Sequence, residues 1–130
     1  MKEERLLELV LEKSLKRGDF VLSSGLRSSY YFDGRLTTLW PEGAYLVGKR
    51  VFQLAREAGA EAIVAACPLC HSNLDTHQVE VSAQAGKQYQ VPIFYFTELM
   101  GLAFGDPEVE KWFGRHFVDP RPLLREKRLL

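Results

Sequence analysis

The sequence predicts an α/β fold with a small, mainly parallel sheet flanked by helices. Residues 62–66 and 93–96 form short, continuous apolar runs, and such runs are typical of strands that are covered on both faces in a parallel sheet. Segments with helical periodicity precede, separate and follow the two runs. This alternation of strands and helices is typical of layered α/β proteins.

The composition excludes several classes of protein. The 130 residues are 46% hydrophobic and 26% charged, which is ordinary for a globular domain and excludes intrinsic disorder. The 17 Lys and Arg residues are balanced by 17 Asp and Glu, and neither half is basic, so no nucleic-acid partner is expected. No apolar run approaches the ~20 residues that span a bilayer, and the amphipathic N-terminal segment lacks the apolar core of a signal peptide. We therefore expect a cytoplasmic protein without a membrane partner.

The first 60 residues predict two helices around a pair of short strands. The first helix would end at Gly18, and the second would begin at Pro41 and end at Gly59. The strands are predicted at residues 20–22 and 30–32, with a turn at residues 23–25 between them. The buried face of the first helix is predicted to consist of Leu7, Val10, Leu11, Ser14 and Leu15. That of the second is predicted to consist of Ala44, Val47, Gly48, Val51, Leu54, Ala55 and Ala58.

The second half predicts helices around the two apolar strands. After residues 62–66 the chain turns at the CPLC string of residues 67–70 into a helix that ends near Gly86. Pro92 stands at the entry of the second strand, and Thr97 is predicted to cap a short helix that follows it. Asp106 is predicted to cap a further helix, which ends at Gly114.

The chemically distinctive motif is the Cys67-Pro68-Leu69-Cys70 turn. Two thiols at this spacing, where a strand turns into a helix, can face one point, and a helix N-terminus favours the thiolate form. The pair could therefore ligate iron or zinc or cycle as a dithiol, and the alternative is two buried, inert cysteines. With His71 the string also fits the c-type haem attachment pattern, although that attachment normally accompanies export.

A zinc site would need further ligands near the two cysteines, because zinc takes four. The local candidates are Cys67, Cys70, His71 and His77, and His116 is a distant one. The simpler interpretation of His77 and His116 is a place on the surface or in packing.

A second candidate site is the loop Ser23-Ser24-Gly25-Leu26-Arg27-Ser28-Ser29. Small hydroxyl residues, a glycine and an arginine can hold a phosphate group through backbone N–H groups and a guanidinium. The alternative is an ordinary turn.

The N-terminal half resembles orotate phosphoribosyltransferase. The resemblance rests on FVLSSGLRSSYYFD at residues 20–33, within a longer match that continues through LAREAGAEAIV at residues 54–64. It implies orotate contacts at Tyr31 and Phe32, and a phosphate-side role for Ser23, Ser24 and Gly25. The family's acidic, Thr/Gly-rich motif for phosphoribosyl pyrophosphate and its lysine-rich catalytic loop do not occur in this chain.

The C-terminal half resembles the B subunit of CoB–CoM heterodisulfide reductase and its cysteine-rich-domain relatives. The matching strings are GAEAIVAACPLCHSNLDTHQ, VPIFYFTELMGLAFG and HFVDPRPLLREKRLL. The resemblance implies that Cys67 and Cys70 are ligands of an iron–sulfur cluster at which a heterodisulfide is reduced. The upstream cysteine and the Cys-Cys pair that complete the ligand set in that family are absent.

The two patterns coincide at residues 58–66, where both families have a helix ending in Glu-Ala-Gly-Ala and then a buried strand. The chain is thus predicted to be a hybrid of two α/β families, with a transferase-like segment at 1–62 and a reductase-like segment at 63–130 that share one fold. The favoured function is that of a redox, iron–sulfur or metal-binding protein that resembles the reductase's B subunit and has an incomplete site. The alternatives are a transferase-like protein of pyrimidine nucleotide synthesis and a folded hybrid without catalysis, so enzymatic activity stays open.

Cofactor and partner expectations follow from the cysteine count and from the aromatic residues. Iron–sulfur clusters normally take four thiolates, and the chain has two cysteines, so a cluster is expected only if two chains share it, and otherwise no cofactor. A homodimer is expected because a hybrid core would leave aromatic clusters uncovered, and a redox partner protein is an open alternative. The clusters consist of Tyr30, Tyr31, Phe32, Leu39 and Trp40, and of Trp112, Phe113 and Phe117.

Overall fold

The computed structural model describes the backbone of residues 2–130 and the side chains of residues 4–130. Its helices are α1 (Lys2–Leu9), α2 (Arg35–Thr38), α3 (Pro41–Glu57), α4 (Pro68–Thr76), α5 (Gln78–Ala85), α6 (Phe96–Ala103), α7 (Val109–Phe113) and α8 (Arg121–Glu126). Its strands are β1 (Leu15–Val21), β2 (Arg27–Phe32), β3 (Ile63–Ala65) and β4 (Ile93–Tyr95). The chain divides into two compact units, and the boundary between them falls after Arg50, inside α3.

The α/β class is confirmed, and the strands form two small sheets within the described part of the chain. β1 and β2 pair antiparallel and form a hairpin, whose turn lies at residues 23–25 as predicted. β3 and β4 pair parallel, with Ile63 opposite Ile93 and Ala65 opposite Tyr95. The parallel pairing is therefore limited to these two strands, and the hairpin is a separate sheet.

The first helix is shorter than predicted. It ends at Leu9 and continues as a π-helical turn, Val10–Ser14, so that Gly18 lies inside strand β1 and does not end a helix. The π turn changes the number of residues per turn and thus the face that the segment buries. Leu9 and Ser14 are buried, whereas Leu7 and Leu11, which were expected inside, are at least half exposed. Ser14 Oγ is hydrogen-bonded to Thr37 Oγ1 at 2.6 Å.

Helix α3 begins at Pro41 as predicted, and its C-terminal end is closed by Gly59, whose φ of +67° suits glycine. Its buried face differs from the predicted stripe, because Gly43, Lys49 and Phe52 are buried while Ala44, Leu54 and Ala58 are exposed. Two close contacts determine which face of α3 is buried. The Phe52 ring stacks on Tyr89 at 5.2 Å, and Gly43 lies against the backbone of Thr37.

The second unit packs helices against the parallel strand pair. Its core consists of Phe94, Val109, Phe113 and Leu124. β3 is not covered on both faces as predicted, because the Val64 side chain is 55% exposed. At β3 the sheet therefore has one buried face and one solvent-exposed face.

Two helix starts in the second unit bear on the predicted caps. Phe96 is the first residue of α6, and the Tyr95 N–H donates to Glu98 Oε2 at 2.8 Å, so Glu98 and not Thr97 stabilises this N-terminus. The predicted cap at Asp106 is wrong, because the N-cap residue of α7 is Glu108; Asp106 Oδ1 accepts from the Glu108 N–H at 2.8 Å in the turn before the helix. Among the described residues, no helix combines the length and the apolar character that crossing a bilayer requires.

Candidate functional site

Cys67 and Cys70 lie where β3 leads into α4, as the sequence predicts. Cys67 is the last residue in extended conformation, with φ of −113° and ψ of 123°, and Pro68 opens the helix. Proline suits this position because the first helical N–H groups have no intrahelical acceptor. The Cys70 N–H donates to Cys67 Sγ at 3.4 Å, so the Cys67 thiol caps the helix. Both cysteines are free and exposed, which excludes the buried, inert alternative.

The two thiols have different acidities. The hydrogen bond from the backbone N–H of Cys70, together with contact to the Cys70 thiol, lowers the pKa of Cys67 below its usual value. The same side-chain contact with Cys67 raises the pKa of Cys70, and burial and the charge on Cys67 add to this rise. Cys67 is therefore the thiolate-prone member of the pair, and Cys70 the member that stays protonated.

A polar cluster of His71, Glu98 and His116 lies in the same unit. His116 Nε2 is 2.9 Å from Glu98 Oε1, and His71 Nε2 is 4.0 Å from Glu98 Oε2. The His71 and His116 rings meet edge to face, with centroids 5.1 Å apart. His71 Nε2 also lies 2.9 Å from the carbonyl oxygen of Ile93. Within the described residues, this is the group of three His, Cys, Asp or Glu side chains close enough to hold a metal, and it contains neither cysteine.

The fold explains why these three residues meet. Because β3 and β4 are parallel, the helices that follow them start at the same edge of the sheet. His71 is in the first turns of α4, and Glu98 is in the first turn of α6. The segment after α7 that carries His116 is held by Asp75, whose carboxylate accepts from the N–H groups of Phe117 and Val118 at 2.8 and 3.1 Å.

Burial and pairing act against each other in the pKa values of this cluster. Burial alone would lower the pKa of His116, but the hydrogen bond to Glu98 and nearby carboxylates raise it above the usual value. Burial would raise the pKa of Glu98, but His116 and the Tyr95 N–H lower it below the usual value. The buried pair is thus stabilised as a charged imidazolium and carboxylate.

Glu98 was not among the predicted site residues, and the simpler interpretation of His116 was a place on the surface or in packing. The His116 side chain is 2% exposed, which confirms packing rather than a surface position, and it is hydrogen-bonded to the Glu98 carboxylate of α6. The sequence did contain an indication of the cluster, because His71 and Glu98 each follow one of two parallel strands, and such residues lie at the same edge of the sheet. The remaining histidine, His77, is exposed and pairs with Glu80, as expected for a surface residue.

The five residues predicted to bind substrate all belong to the hairpin and are exposed. Ser23, Ser24 and Gly25 form its turn, where the Gly25 N–H donates to the Leu22 carbonyl at 2.8 Å. Tyr31 and Phe32 are on β2, with exposed fractions of 42% and 54%.

Two features of the hairpin bear on these five residues. The guanidinium of Arg27 is paired with Asp19, so it is already engaged by a carboxylate. A surface hollow of about 280 Å³ on this hairpin is lined by Leu15, Arg17, Ser29 and Tyr30, and by none of the five.

Comparisons with known proteins give partial matches to more than one class of protein. No family model matches the chain. The B subunit of the ferredoxin/F420H2-dependent CoB–CoM heterodisulfide reductase of Methanosarcina acetivorans is 42% identical over 50 residues, which is 38% of this chain and 17% of that protein. Orotate phosphoribosyltransferase of Nostoc sp. is 48% identical over 50 residues, which is 38% of this chain and 24% of that protein. The same enzyme of Aquifex aeolicus is 42% identical over 65 residues, covering 48% and 36%.

The fold is also similar to that of a solved orotate phosphoribosyltransferase structure. The crystal structure of orotate phosphoribosyltransferase from Mycobacterium tuberculosis aligns with a TM-score of 0.53 and 24% identity, covering 73% of this chain and 53% of that one. The chain thus resembles each of these relatives only in part. It spans about a sixth to a third of the length of these curated relatives.

Proposed function

We propose that this chain is a thiol redox protein, related to the B subunit of heterodisulfide reductase, in which Cys67 and Cys70 form a redox-active dithiol. The observation that carries the proposal is the position of Cys67, whose exposed thiol caps the N-terminus of α4 and accepts the Cys70 N–H. A helix N-terminus stabilises negative charge on a thiolate, and the thiolate is the nucleophile in thiol–disulfide exchange.

The proposed reaction is two successive exchanges with an organic disulfide. The Cys67 thiolate attacks one sulfur, so that a mixed disulfide forms, the substrate S–S bond breaks and one thiolate leaves. Cys70 then loses its proton to solvent and attacks Cys67 Sγ, which releases the second thiolate. The substrate gains two electrons and the pair becomes a Cys67–Cys70 disulfide.

The chain by itself does not fit the iron–sulfur cluster that the reductase resemblance implies. Such clusters normally take four cysteine ligands, and the chain has two cysteines. The dithiol chemistry above therefore uses the thiols directly. A cluster shared between two chains stays a proposal of its own, and the spectrum after anaerobic reconstitution with iron and sulfide tests it.

Reaction of the reduced protein with an aromatic disulfide such as DTNB tests the dithiol. We expect the wild-type chain to release two thiolates per chain and to finish with an internal disulfide and no bound probe. Cys70→Ser should stop at a stable mixed disulfide on Cys67, and Cys67→Ser should react more slowly. A wild-type chain that retains two bound probe groups, and forms no internal disulfide, would contradict the proposal.

An orotate phosphoribosyltransferase-like function is the second candidate. It is supported by several curated matches and by the fold likeness to the Mycobacterium tuberculosis enzyme. Catalysis would require groups that position the pyrophosphate and stabilise its charge, and the motifs for both are missing from the sequence. We therefore expect no turnover of orotate with phosphoribosyl pyrophosphate and Mg²⁺, and turnover above a protein-free blank would favour this candidate instead.

A further inference from the structure

We propose that His71, Glu98 and His116 form a binding site for a divalent transition metal of the zinc class, separate from the two thiols. The three side chains come from α4, α6 and the segment after α7, and their candidate ligand atoms all lie within 4.8 Å of one another. Two imidazoles and one carboxylate make up a donor set that zinc accepts when a fourth position is left to water.

The distances in the cluster match the size of a zinc site. Zinc lies ~2.0–2.2 Å from nitrogen and oxygen ligands in tetrahedral geometry, so neighbouring ligand atoms are about 3.3–3.5 Å apart. The observed separations lie on either side of this value, at 2.9 Å between His116 Nε2 and Glu98 Oε1 and 4.0 Å between His71 Nε2 and the other carboxylate oxygen, Glu98 Oε2. All three candidate ligand atoms lie within 4.8 Å of one another, so a common metal would draw the side chains closer together.

The surroundings also suit a metal. The side chains of His116 and Glu98 are only 2% and 13% exposed, while His71 at 20% leaves a route from solvent. The Tyr95 N–H donates to Glu98 Oε2 and holds the carboxylate in place, as a supporting contact does for a metal ligand.

Metal binding would have two identifiable costs. His116 Nε2 is hydrogen-bonded to Glu98 Oε1, and ligation through this nitrogen would release its proton and replace that contact. His71 Nε2 is hydrogen-bonded to the Ile93 carbonyl oxygen, and ligation through this atom would release both its proton and that contact. The metal therefore exchanges two hydrogen bonds of this cluster for coordination. We expect proton release on binding and affinity that falls at acidic pH, since ligands must be deprotonated.

The test uses the full chain carrying Cys67→Ser and Cys70→Ser, so that thiols cannot ligate. After chelator treatment, titration with Zn²⁺ or Co²⁺ should show one site per chain, and Co²⁺ should give visible bands without a sulfur charge-transfer band. Glu98→Gln should weaken binding at least about tenfold. The matched control is His77→Gln, which removes an exposed histidine outside the cluster and should leave binding unchanged.

An alternative variant and an NMR measurement complete the test. If Glu98→Gln fails to fold by circular dichroism, His71→Asn at the more exposed position should produce the same loss. The chain has three histidines, so imidazole NMR signals of the unsubstituted cluster can also be followed individually. Zn²⁺ should shift the signals of His71 and His116 and leave His77 in place. Absence of binding, binding that survives loss of the ligands, or a shift of His77 alone would overturn the proposal without affecting the dithiol.

Discussion

At the residue scale, one backbone hydrogen bond distinguishes the two cysteines. The Cys70 N–H points at Cys67 Sγ and lowers the pKa of that thiol, whereas contact with Cys67 raises the pKa of Cys70. The string of residues 67–70 was enough to predict the pair's location, because an apolar strand followed by Cys-Pro indicates a strand-to-helix turn. It could not predict the asymmetry, which depends on the orientation of a single N–H group.

Limited alkylation should label Cys67 before Cys70. A thiol reacts as thiolate, so the lower pKa of Cys67 gives it the larger thiolate fraction near neutral pH. As pH rises above both pKa values, both thiols become ionised and the labelling ratio should approach one. Peptide mapping by mass spectrometry after substoichiometric iodoacetamide measures this ratio. Unfolded protein, in which the capping hydrogen bond is lost, provides the control with equal labelling, and preferential labelling of Cys70 in the folded chain would be inconsistent with the structure.

At the element scale, boundaries were predictable where a residue type restricts the backbone. Pro41, Gly59 and Pro68 mark helix ends that the structure confirms. The buried face of each helix was less predictable, because it depends on packing between segments that are distant in sequence. The π-helical turn Val10–Ser14 and the contact of Gly43 with Thr37 each rotated a helix away from the face that periodicity indicated. The His–Glu–His cluster was missed for the same reason, since it joins three separate elements.

Gly43→Ala should destabilise the chain. A Cβ at this position would collide with the Thr37 carbonyl oxygen and lie 2.9 Å from Thr37 Cγ2, and backbone cannot move away cheaply. We expect a loss of about 1–3 kcal/mol in the free energy of unfolding, although alanine is the better helix former. Urea unfolding measures it. In the control Gly34→Ala the nearest atom is a Phe32 ring carbon at 3.4 Å, so a change within about 0.5 kcal/mol is expected. Equal stability of the two variants would show that α3 packs differently.

At the scale of the whole molecule, the chain combines partial likeness to two protein classes with two compact units. The predicted junction at residues 58–66 and the division between Arg50 and Val51 are close in sequence, and both fall in or just after α3. The uncovered aromatic residues are unevenly distributed. Those of the hairpin region are exposed, whereas Phe113 is fully buried, Trp112 packs against the core and only Phe117 of the second cluster is exposed.

We propose that the hairpin surface joins two copies of the chain in a homodimer. Val21, Leu26 and Tyr30 of the hairpin are each more than half exposed, and exposed apolar patches larger than a few hundred Å² usually mark an interface. Light scattering at micromolar concentration should give twice the 14.8 kDa chain mass. Leu26→Lys should shift the protein to monomer, while Leu129→Lys, at another exposed leucine, should not. A monomeric wild-type chain would contradict the proposal.

The proposed dithiol function is tested most directly by a redox titration of the whole chain in glutathione buffers, read by intact-mass spectrometry after acid quenching. We predict one two-electron transition, at which the chain loses two hydrogen atoms as Cys67 and Cys70 form a disulfide, with a tenfold change in the equilibrium ratio for each ~30 mV. Neither single serine variant should show it. Independent glutathione adducts on each cysteine, with no internal disulfide at any potential, would contradict the account.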